Sequence, residues 1–184
     1  MDKQSKKVLG LFARYISLII LGVGNLYILY KILTPLTIRT VSRILALFSP
    51  ITLTENFLTF KGDAIEIIPA CVAGAAFFLL LFLILSTAEI KPGKRSQMIL
   101  FSMLTLFILN VLRIIILALI AKSSYFELTH WILWHIISTI FVVGIWFAMV
   151  KIYNIKSIPV YSDVRYLQSL IKPRKKSKRS KKHK

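Results

Sequence analysis

The sequence predicts an all-α integral membrane protein: a bundle of about four transmembrane helices with an interfacial helix and a short outer hairpin. Three observations carry that prediction. Apolar residues make up 57% of the 184-residue chain and fall in long unbroken runs rather than at the period of an amphipathic helix. Basic residues gather in alternate connections. The one long connection holds a short amphipathic stretch and then a loosely alternating one.

A hydrocarbon core of about 30 Å takes roughly 20 apolar helical residues to cross. Four windows reach or approach that length: Val8 to Leu33, Ile67 to Ala88, Met98 to Ala121 and His130 to Ile152. The first follows Lys3, Lys6 and Lys7, as a signal peptide would. It is longer than the usual apolar region of about 7–15 residues and ends in Tyr30, Lys31 and Leu33 without a small-residue cleavage site, so it reads as a retained span.

Charge sets the topology. Lys3, Lys6 and Lys7 precede the first window, Lys91, Lys94 and Arg95 follow the second, and Lys151, Lys156, Arg165 and a basic tail follow the fourth. These regions are expected on the cytoplasmic side, with both termini there. The other two connections, 34–66 and 122–129, hold four of the seven acids balanced by four basic residues and are expected outside. The resulting division is a basic N-terminus at 1–7, a first transmembrane helix at 8–33, an outer connection at 34–66, a three-helix membrane core at 67–152 and a cytoplasmic tail at 153–184. Nine of the last thirteen residues, 172–184, are Lys or Arg. Such a run repels itself and has no apolar face, so disorder against anionic lipid is expected, not nucleic-acid binding.

Within the outer connection, Leu36 to Ser49 lies between Pro35 and Pro50 and carries Arg39 and Arg43 one helical turn apart. It is too short to span, which suits an interfacial helix or a re-entrant piece. Thr54 to Phe60 alternates, and Lys61-Gly62-Asp63 reads as the turn of a hairpin.

Reactive or ionisable groups inside spans are costly and mark function by default. Arg113 lies in the outer half of the third span, about 12 Å from its end, with Asn110 on the same face. Snorkelling to the surface is the plain alternative. Cys71, the single cysteine, follows Pro69 at the start of the second span. The dipole and free amides of a helix start favour thiolate there, although a free cysteine is also an ordinary small hydrophobe. His130 and His135 flank Trp131 and Trp134 at the outer end of the fourth span, where an aromatic belt is the alternative; His183 falls in the tail. Together, three spans place a thiol, a guanidinium and an imidazole in one half of the bilayer. Thiol and imidazole form a nucleophile–base pair, and a fixed cation stabilises a thiolate or oxyanion. One cysteine and two histidines make a poor ligand set, so no metal or other cofactor is expected.

Three blocks then resemble the exosortase/archaeosortase family of membrane-embedded cysteine transpeptidases. Gly62 to Gly74, ending in Ala70-Cys71-Val72-Ala73-Gly74, is similar to the family's Ala-Cys stretch followed by small residues. Asn110-Val111-Leu112-Arg113-Ile114 resembles its Asn-x-x-Arg-Ile block, and a histidine opens the last span. The resemblance covers roughly Thr54 to Ile152. It implies Cys71 as nucleophile, Arg113 as thiolate or oxyanion stabiliser and a histidine as general acid/base. Glu127-Leu128-Thr129-His130 resembles the family's acid-x-x-His approach and favours His130, with His135 as the alternative one turn deeper. The glycine that often follows the family's histidine is replaced here by Trp134 or by Ser138-Thr139, and few spans precede the cysteine.

The implied activity is cleavage of C-terminal sorting signals on secreted surface proteins. Such a signal comprises a short motif, a hydrophobic helix and a basic cluster, and cleavage proceeds by a thioester on Cys71 that passes to an amine such as a lipid head group. A non-catalytic accessory of surface-protein or polysaccharide assembly is the competing class. A channel or transporter subunit is disfavoured, because inverted repeats are not visible.

Overall fold

The computed structural model describes residues 3–54 and 57–171. The expected disordered run at 172–184 lies outside the described residues. Eight α-helices and three short strands follow in the order α1 (Lys3–Gly22), α2 (Tyr27–Leu45), β1 (Ile51–Thr54), β2 (Phe57–Phe60), β3 (Asp63–Glu66), α3 (Pro69–Val72), α4 (Gly74–Leu85), α5 (Pro92–Leu119), α6 (Phe126–Ile132), α7 (Ser138–Ile152) and α8 (Tyr161–Ile171). The protein is a helical membrane protein with a small sheet at one end. Two helical stretches are long and apolar enough to cross a bilayer, α5 and the continuous run Phe126–Ile152.

The first window is not one straight helix. It breaks at residues 23–26, and the pieces on either side meet at 66°. Gly24, Asn25 and Leu26 all take left-handed backbone angles (φ 71°, 55° and 61°). Glycine and asparagine tolerate that region and leucine rarely does, so the break begins where the chain offers Gly-Asn. Hydropathy is blind to such a break because every residue around it is apolar.

The stretch after Pro35 continues α2 instead of starting a new helix. Proline removes one backbone bond from the turn before it. Thr37, Ile38, Val41 and Leu45 hold the helix in place by burying one face, while Arg39 and Arg43 stay exposed on the other. The amphipathic character read from the sequence is therefore real, and its apolar face packs on protein. The core there joins Ile38, Val41 and Leu45 to Leu58 and Phe60 of the sheet, Val72 of α3 and Val111, Ile114 and Ala118 of α5.

The expected hairpin is a three-stranded antiparallel meander in the order β1-β2-β3. Lys61 and Gly62 form a two-residue turn with φ of 52° and 87°, the pair of positive values that suits the twist of a tight hairpin. Leu58 and Phe60 alternate inward and are almost fully buried.

The second window also breaks, at Ala73 (φ 59°), separating the single turn α3 from α4. A second core, between α4, α5 and α7, is built from Phe77, Leu80, Ile84, Met98, Leu106, Val142, Ile145 and Met149. Leu100, Leu104, Ile108, Leu112 and Phe147 stay exposed on the outside of the bundle, where lipid tails would meet them.

At the end opposite the sheet, the first and last described helices, α1 and α8, meet. Arg14 donates to the carbonyls of Leu85 and Thr87 (2.9 Å each) and to both oxygens of Asp163 on α8 (2.9 and 3.0 Å). Tyr15 also donates to Asp163, Arg95 donates to Thr87 O at 2.7 Å, and Lys7 lies 4.7 Å from the Tyr166 ring centre. The three basic regions thus gather at one end of the bundle. Arg14, inside the first apolar window, has no role in the sequence reading. Its carboxylate partner lies 149 residues away.

Candidate active site

The break at Ala73 decides what happens at Cys71. A four-residue helix leaves its carbonyls without a following turn to bond them. The carbonyl of Cys71 accepts instead from two side chains of α5, Asn110 Nδ2 and Arg113 Nη2, each at 3.0 Å. Asn110 and Arg113 stand three residues apart on one helical face, which is why a single carbonyl reaches both. The Cys71 amide donates to Ile68 O at 2.9 Å, closing the first turn of α3 on its N-cap residue. Gly74 begins α4, and a Cβ there would come within 2.6 Å of the Tyr30 ring from α2. The close approach at Gly74 is thus made by an aromatic ring.

Arg113 is 5% exposed, so it points into the bundle and does not snorkel. Its Nη1 donates to Ser138 Oγ at 2.7 Å, and its buried Nε has no partner. Among the described residues no carboxylate lies within ion-pair distance of it; the two ion pairs there are Arg14–Asp163 and Lys122–Asp63. A buried guanidinium without a counter-ion is an expensive arrangement.

Ser138 is the site residue that sequence reasoning missed. The helix widens to π geometry over residues 133–137, and Ser138 Oγ donates to Leu133 O, five residues back, while accepting from Arg113. Such widened turns often occur at functional sites. The only available signal was a hydroxyl inside an apolar span.

A cavity of about 640 Å³ opens over these groups. Its walls include residues 63–68 of the sheet edge, Cys71, Arg113, Phe126, His130 and Trp134. The two histidines part company here. His130 is half-buried, stacks on Phe126 at 5.6 Å and lines the cavity. His135 is exposed, packs against Trp131 and Trp134 at 4.9 and 4.5 Å, and is not among the lining residues. Cys71, Arg113 and His130 therefore share one cavity, and His135 is not among its lining residues.

Fold and site together define a multi-helix membrane protein with a thiol, an unpaired guanidinium and an imidazole around one cavity at its sheet end. The family model described as transmembrane exosortase (EpsH) matches residues 5–151, and the chain belongs to that family. No curated protein and no solved structure matches it significantly. Arg14 falls inside the matched range, whereas Asp163 and all of α8 lie beyond it.

Proposed function

We propose that this exosortase-family protein is a membrane-embedded cysteine transpeptidase. It would cleave C-terminal sorting signals from secreted surface proteins and pass the shortened chain to an acceptor such as the amine of a membrane lipid. In this reading the sheet end, with its cavity, faces outside and both termini face the cytoplasm, an orientation supported by the distribution of basic residues. The observation that carries the reading is the unpaired buried cation beside Cys71 in a cavity that also holds an imidazole.

The chemistry follows from those three groups. His130 takes the thiol proton, and the Cys71 sulfur attacks the carbonyl carbon of the scissile peptide. The carbonyl oxygen gains negative charge, which Arg113 stabilises through the charge no carboxylate neutralises. His130 returns its proton to the leaving nitrogen as the C–N bond breaks. The departing fragment carries the hydrophobic helix and basic cluster, and the retained part is a thioester on Cys71. An acceptor amine then attacks the thioester carbonyl, loses its proton to His130 and releases Cys71. Water in place of the amine gives hydrolysis.

The test is processing of a secreted protein ending in such a signal, in cells expressing the full chain. Cys71→Ala, Cys71→Ser and His130→Ala are each expected to leave the precursor with its C-terminal helix attached, while the variant remains inserted at normal abundance. Normal processing by an abundant Cys71→Ala protein would reject the enzyme reading in favour of an accessory role.

A further inference from the structure

We infer that β3 is the docking edge for the substrate, which binds as an extended peptide by adding a strand to the sheet. This inference rests on the proposed activity and specifies how the segment before the hydrophobic helix is held.

The sheet order leaves β3 at an edge, paired only with β2. Its register pairs Phe60 with Asp63, Thr59 with Ala64, Leu58 with Ile65 and Phe57 with Glu66. A two-residue turn makes the closing pair, Phe60 and Asp63, a hydrogen-bonded one, and bonded pairs alternate along an antiparallel ladder. Asp63 and Ile65 therefore spend their backbone groups on β2. The N–H and C=O of Ala64 and Glu66 point the other way. Among the described residues, no hydrogen bond outside the β2–β3 ladder reaches those groups.

The free edge faces the cavity. Six consecutive residues, 63–68, line it. Side chains on a strand alternate between faces, so a wall drawn from every residue in turn is the strand's edge and not one of its faces. The same cavity wall continues from residues 63–68 to Ala70 and Cys71, which also line it. A peptide laid along Ala64 and Glu66 gains main-chain bonds at a spacing of about 6.6 Å, and its continuation passes Cys71 and Arg113. A volume of about 640 Å³ lies within the usual range for ligand pockets. A folded helix has no free backbone groups to offer this edge, so the occupant is the extended stretch preceding the hydrophobic helix.

Proline tests this directly, because at Ala64 or Glu66 it removes an N–H aimed at the cavity and none aimed at β2. Full-length Ala64→Pro and Glu66→Pro are expected to process the reporter precursor about five- to tenfold more slowly at low precursor levels, the loss of one backbone bond each. Leu53→Pro, on the far edge of the sheet and outside the cavity walls, is expected to match the wild type. The rate at which a small alkylating reagent modifies Cys71 should not change, which shows that the site is intact. Independently of cleavage, Ala64→Cys in a Cys71→Ala chain should form a disulfide with a precursor cysteine placed just before the hydrophobic helix, and none with a cysteine inside that helix. Wild-type processing by both proline variants, or crosslinking through the helix alone, would overturn the docking edge. Equal processing by wild type and Cys71→Ala would instead remove the enzyme reading, and the crosslink would still decide whether the edge binds peptide.

Discussion

Arg14 and Arg113 are both largely buried arginines in apolar helices, and the protein treats them in opposite ways. Every nitrogen of Arg14 has an acceptor: Gly10 O for Nε, Leu85 O and Thr87 O for Nη1, and the Asp163 carboxylate for Nη2. Arg113 has a carbonyl, a hydroxyl and an idle Nε, with no carboxylate among the described residues. A satisfied cation fixes structure. On the proposed mechanism an unsatisfied one is available for the negative charge that develops on the substrate. The contrast distinguishes a lock at the terminal end from a site at the sheet end, although the two residues look alike in a hydropathy profile.

The largest effect that sharpens this contrast is Arg113→Lys. A lysine keeps the charge but loses the planar fork that reaches Cys71 O and Ser138 Oγ together. Processing of the reporter precursor is expected to fall about 10²–10³-fold, the usual cost of losing an oxyanion donor, with little change in protein abundance. Processing within a few-fold of the wild type would mean that Arg113 is structural after all.

The lock should fail differently. Asp163→Asn strips Arg14 of its counter-ion in a setting where Asp163 is only 4% exposed. Leaving a buried charge unpaired costs about 3–5 kcal/mol, so the unfolding midpoint in detergent is expected to drop clearly. Processing per folded molecule should stay within about twofold, because the site lies at the other end of the bundle. A selective loss of activity with an unchanged midpoint would tie the terminal end to catalysis and erase the distinction between the two arginines.

What sequence could reveal follows the same line. The membrane class was legible because burial in lipid imposes long apolar runs, and Cys71, Arg113 and His130, which line one cavity, could be picked out as candidates because reactive groups stand out against those runs. The helix break at Gly24-Asn25-Leu26 and the left-handed Ala73 were hidden, because each is a backbone choice inside a long apolar run, where a single Gly-Asn pair or an alanine barely lowers the averaged hydropathy. The break at Ala73 matters most, since it frees the Cys71 carbonyl for Asn110 and Arg113. Arg14 was passed over for a different reason: its partner is 149 residues away, and no local pattern announces a pair that distant. Depth counting along the spans was also too coarse. It ranks His135 nearer the level of Arg113, and the Arg113–Ser138 contact agrees with that ranking, but depth along a helix does not say which residues line a cavity, and the lining histidine is His130.

The smallest effect belongs to His135. Its Nδ1 lies 3.1 Å from Trp131 O, and a carbonyl only accepts, so Nδ1 carries the hydrogen and donates it one turn back along the same helix. The ring stacks on Trp131 and meets Trp134 edge-on, contacts worth about 0.5–1.5 kcal/mol each beyond the area they bury. The ring is exposed and is not among the residues lining the cavity. A general base has to reach the proton it takes directly or through one water, and of the two histidines it is His130 that borders the cavity shared with Cys71. His135→Ala is therefore expected to lower abundance modestly while processing per molecule stays within about twofold of the wild type. Quantitative blotting of enzyme and precursor in the same cells separates the two quantities. A large loss of specific activity in His135→Ala, with His130→Ala still active, would transfer the acid–base role to His135 and require the last span to rotate during catalysis.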